Sequence, residues 1–91
     1  KAAFSQFGGT PTTVICEFEN SLAGSVFDHF GMDIRTTPVG KDKFRVSLSV
    51  IVSPLFFSWI FSFGDRAKII APQSVVEQLR EHIGSVVALY E

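Results

Sequence analysis

Cysteine is nearly absent. The 91 residues hold one, Cys16, so no internal disulfide can form and the fold must rest on packing. With only two histidines, His29 and His82, no His or Cys pair has the spacing of a metal site. Charge is balanced: eight Lys and Arg against nine Asp and Glu give a net charge of -1 and a pI near 6.1. That excludes a global pull toward nucleic acid or anionic lipid, so any such contact must come from a local patch. The longest apolar run, Pro54 to Phe63, is about half the ~20 residues that a membrane-spanning helix needs. Neither a solenoid repeat nor a low-complexity tract is present. No signal-peptide pattern appears, and the chain opens on Lys1 without Met, which reads as a fragment of a longer protein in a reducing cytoplasm.

What is there is apolar and aromatic: 46% of the residues are hydrophobic and ten are Phe. One small domain can build a single core from these. The stretch Ser53 to Gly64, SPLFFSWIFSFG, holds the only Trp and four of the Phe. It reads as a short, almost wholly buried helix, with Ser53 as N-cap, Pro54 at the first helical position and Gly64 as the left-handed residue that ends it. An apolar surface nearly all round must be covered on more than one side, so Phe56, Phe57, Trp59 and Phe61 are candidate interface residues as well as candidate core.

Around this helix the periodicities alternate. Lys1 to Pro11, with Gly8, Gly9 and Pro11, reads as a linker from an upstream domain, and residues 12–91 as the domain itself. Thr12 to Glu19 alternates as a half-buried strand with Val14, Cys16 and Phe18 inward. Asn20 or Ser21 caps a helix running to Phe30 and stopping at Gly31. Met32 to Val39 is a weaker strand in which Pro38 marks an edge, and Gly40 to Asp42 make the turn into Lys43 to Val52, the clearest strand. Ala67 to Ile70 follows as a short strand ended by Pro72. A final amphipathic helix spans Gln73 to Tyr90, with Val75, Val76, Leu79, Ile83, Val86, Val87 and Tyr90 along one side. The order is β-α-β-β-α-β with an additional C-terminal helix, an α+β ferredoxin-like sandwich on a four-stranded antiparallel sheet.

Catalytic chemistry needs a nucleophile beside a base and a base held by a third group; no such cluster emerges, and the chain reads as non-enzymatic, without cofactor or metal. Cys16 falls on the inward face of its strand as a structural thiol. His29 lies near a helix end, where capping or plain exposure is the simplest role, and His82 sits with Arg80 and Glu81 on what reads as a solvated face. Gly8 and Gly9 precede a strand instead of opening a helix after one, so they offer no phosphate cradle. The one charge pattern is on the hairpin: Arg35, Lys41, Lys43 and Arg45 fall within eleven residues. Arg35, Lys43 and Arg45 could meet an anionic ligand on the helix-free sheet face, although a solvated strand face that discourages edge pairing is the simpler reading. That face carries Thr13, Ile15, Glu17, Arg45, Ser47 and Ser49, with no aromatic on which a base could stack.

The run VSPLFFSWIFSFGDRAKIIAPQSVVEQLREHI resembles the C-terminal extension, or WCX domain, of bacterial WYL-domain transcriptional regulators. The marks are Trp59, Phe63-Gly64, the strand Lys68 to Ile70, Pro72 and Leu79-Arg80-Glu81, in that order. Phe4, Phe7-Gly8-Gly9, the strand TTVICEFEN and the helix ending FDHFG look like the same family's approach to the domain. The resemblance implies a regulator whose N-terminal helix-turn-helix binds DNA and whose central WYL domain senses a ligand, with this tail as a homodimerisation and regulatory module. The DNA-reading helix and the Trp-Tyr-Leu motif have no counterpart here, so DNA contact is expected only through the full-length protein. The alternative is a stand-alone sensor that takes an anionic small molecule or single-stranded nucleic acid on its open sheet face.

Overall fold

A computed structural model describes residues 9–91. Most of the expected linker, with Phe4, Phe7 and Gly8 of the family resemblance, lies outside the described residues. The elements run β1 (Thr12–Glu19), α1 (Ala23–Phe30), β2 (Thr36–Val39), β3 (Lys43–Val50), α2 (Pro54–Phe61), β4 (Ala67–Ala71) and α3 (Gln73–Ala88), with 3-10 turns at Asn20–Leu22 and Gly64–Arg66. The strands form one sheet in the order β2-β3-β1-β4, every neighbour antiparallel. This is the ferredoxin-like arrangement expected from the sequence, with α3 added after β4.

Pleating decides which side chains go inside. Along β3 the residues alternate strictly between exposed and buried, and its antiparallel register with β1 pairs Val14 with Leu48, Cys16 with Val46 and Phe18 with Phe44 on the inner face. Leu22 from the 3-10 turn, Val26 from α1, Phe56, Phe57 and Ile60 from α2 and Val75 from α3 close over that face. Each fully buried side chain of this size contributes about 1.5–3 kcal/mol relative to exposure. The opposite face of the sheet carries no helix and presents Thr13, Ile15, Lys43, Arg45, Ser47 and Ser49.

Several local expectations are corrected. Asn20 does not cap α1; its side-chain amide donates to the Lys41 carbonyl at 3.1 Å, tying the end of β1 to the hairpin turn, and a 3-10 turn leads into the helix instead. β2 is only four residues long, because Gly31 to Arg35 are used to bring the chain from the helix layer back to the sheet. β3 stops at Val50, and Ile51 turns into the core instead of joining the open face. Ser53 does cap α2, accepting from the Phe56 N–H at 3.3 Å with Pro54 following, but the helix ends at Phe61 and Gly64, at φ 63°, opens the next turn. Nor is that helix buried all round: Ser58 and Phe61 face outward.

The apolar side expected for α3 is only partly covered: Val75, Val76 and Leu79 pack on the core, while Ile83, Val86 and Val87 stay 39–47% exposed. Length explains this. The 16 residues of α3 span about 24 Å and the eight of α2 about 12 Å, so α3 outruns the helix beside it.

Candidate functional site

Two surfaces remain once the core is assigned. The first is the open sheet face. One row of paired positions crosses all four strands there: Thr37 beside Arg45, Arg45 beside Glu17, Glu17 beside Lys68. Glu17 is the one buried charged side chain among the described residues, 7% exposed because its long basic neighbours fold over it. Its Oε1 accepts from Arg45 Nε at 2.9 Å, and Lys43 Nζ lies 3.8 Å from Oε2. Arg45's hydrogen bond holds the Glu17 carboxyl below the usual carboxylate range, against the opposing effect of burial, with help from the charges of Arg45, Lys68 and Lys43.

This changes the expected anionic-ligand patch. Lys43 and Arg45 do share a face, but both converge on Glu17, which sequence reasoning placed on that face without pairing it to them. Arg35 stands apart, in the loop before β2, where it lines a shallow groove with Asp33, Ser47 and Ser49. The three cations therefore do not form one cluster. Lys68, which was not singled out, belongs to the row. Beside it Lys43, Arg66 and Lys68 line a small cleft together with Glu17 and Asp65, so positive and negative charge alternate there as well. Among the described residues no three His, Cys, Asp or Glu side chains come together as a metal site.

The second surface is apolar and lies between the end of α2 and the second half of α3. Of the four candidate interface residues, Phe56 and Phe57 are core, 0% and 5% exposed. Trp59 is half-buried: its ring centroid sits 5.8 Å from that of Phe18, 5.1 Å from His29, 5.3 Å from Phe30 and 5.1 Å from Phe63. Phe61 alone of the four is at the surface, 40% exposed. It lines a groove of about 430 Å³ with Ser58, His82, Ile83, Val86 and Val87. His82 does not lie on a solvated face; its half-buried ring contacts Phe57 at 5.5 Å and stacks on Phe61 at 6.3 Å and 7°. His29, in turn, stacks on Trp59 at 29°. The groove escaped sequence reasoning because periodicity marks an apolar stripe without saying whether anything covers it. A signal was available in the lack of any Asp, Glu, Lys or Arg from His82 to Tyr90.

Cys16 is fully buried, and its thiol is pushed up to about 12 by burial, which makes it a packing residue.

The order of these elements, with the aromatic α2 feeding a Phe-Gly turn, a short strand, a Pro and a long helix, is matched by a family model described as the WCX domain over residues 10–87. The chain belongs to the WCX domain family. No curated protein matches it. In this WCX domain Trp59 and Phe63 pack on Phe18 of the core, whereas Ser58 and Phe61 of α2 line the apolar groove. No helix among the described residues is long and apolar enough to cross a membrane.

Proposed function

We propose that this WCX domain is the C-terminal regulatory and oligomerisation module of a bacterial DNA-binding regulator of the WYL family, and is itself non-catalytic. Its family is the first support, since WYL regulators are the usual setting of the WCX domain. The observation that carries the oligomerisation part is the uncovered apolar surface of Phe61, Ile83, Val86 and Val87, which water solvates poorly and a protein partner would cover. DNA would be contacted through the helix-turn-helix of the full-length protein and not by this domain. The sensing alternative, an anion on the open sheet face, has less behind it, because Arg45 and Lys43 already converge on Glu17.

Size-exclusion chromatography with light scattering on the isolated domain tests the reading. A mass rising toward twice 10.0 kDa with concentration is expected. A strict monomer at high concentration contradicts it.

A further inference from the structure

The inference rests on the oligomerisation reading above and gives it a location. From His82 to Tyr90 the helix and its final turn carry no Asp, Glu, Lys or Arg on any side, whereas the preceding turns hold Glu77, Arg80 and Glu81. Leu89 and Tyr90 are 80% and 86% exposed, beyond the 39–47% of Ile83, Val86 and Val87 and the 40% of Phe61 on α2. Together these six residues expose on the order of 700 Å², close to the ~800 Å² per partner of a standard interface.

We propose that the second half of α3 and Phe61 form the contact between two copies of this chain. The surface suits its own kind. It is concave where Phe61 faces Val86 and Val87, and convex where Leu89 and Tyr90 project, so a two-fold pairing seats each projecting end in the other copy's groove. It also offers no charge by which a differently charged partner would be selected.

Sedimentation velocity on the wild-type domain, on Val86→Glu, on Phe61→Ser and on Ser47→Glu as a control on the open sheet face tests this. Wild type and Ser47→Glu should dimerise alike, while Val86→Glu and Phe61→Ser raise the dimer dissociation constant by about tenfold or more with unchanged circular dichroism. Phe61→Ser lies outside α3 and keeps the test valid if a glutamate within α3 disturbs the helix. A wild-type dimer that both variants leave intact overturns this interface while the oligomerisation reading survives. A wild type that stays monomeric overturns both, and if Val86→Glu then lowers the binding of an apolar dye, the occupant is another body and not a second copy.

Discussion

Arg45 donates from Nε to Oε1 of Glu17 at 2.9 Å across the two central strands, setting one carboxylate among the three cations Arg45, Lys43 and Lys68 and lowering the positive charge of that stripe. The pair sits on a face that no helix covers, so the energy at stake is modest, but its effect on the local field is direct. Removing the negative member should unmask Lys43, Arg45 and Lys68 together. Glu17→Gln is therefore expected to bind a short single-stranded oligonucleotide more tightly than wild type at low salt, with the gain lost as salt rises. Fluorescence anisotropy at two ionic strengths measures this, and equal curves contradict it.

The same carboxylate gives the domain a pH response of known sign. Arg45's hydrogen bond holds the folded-state pKa of Glu17 below its unfolded value, so the stabilisation is complete above the ordinary Glu value of about 4.3 and is lost as pH falls through the folded one. Melting temperature should decline on the acid side of that value in wild type, and less steeply in Glu17→Gln. Parallel declines would show that other groups govern the acid limb.

Much of this geometry was legible in the sequence, and the part that was not has a definite cause. The alternation of Phe44, Val46, Leu48 and Val50 specified β3 to within two residues, since a one-residue slip would turn all four to solvent. Opposite charges on the same face of neighbouring strands were visible as Glu17 and Arg45; that they are direct partners follows only from the register that sets Cys16 against Val46 and Phe18 against Phe44. In α2 the composition implied burial on every side, whereas eight residues against one sheet bury Phe56, Phe57 and Ile60 and leave Phe61 out. In α3 the periodic stripe was real, but its coverage depends on the length of the neighbouring helix, which a local pattern does not encode.

Cys16 should behave as an inert core residue. Fully buried and with its thiol pushed up to about 12, it should react with a disulfide reagent only as fast as the domain opens, and at once in denaturant. Cys16→Ser, which places a hydroxyl among Val14, Val46 and other apolar side chains, should cost about 1–3 kcal/mol. Rapid native-state labelling contradicts this placement.

Trp59 and Phe61, two residues apart on α2, should separate cleanly. The Trp59 ring meets Phe18, His29, Phe30 and Phe63, so Trp59→Ala should cost about 3 kcal/mol, roughly 15 °C in melting temperature for a domain of this size. Phe61→Ala should stay within about 0.5 kcal/mol of wild type when both are melted at concentrations too low for association. Comparable losses for the two would mean that Phe61 serves this domain's own core.

The most direct measurement is amide hydrogen exchange across α3 as a function of protein concentration. If a second copy covers the end of this helix, protection of the amides from Ile83 to Leu89 should rise with concentration while that of the amides from Glu77 to Arg80 and of β3 stays constant. Exchange from Ile83 to Leu89 that is equally fast at all concentrations would contradict the account.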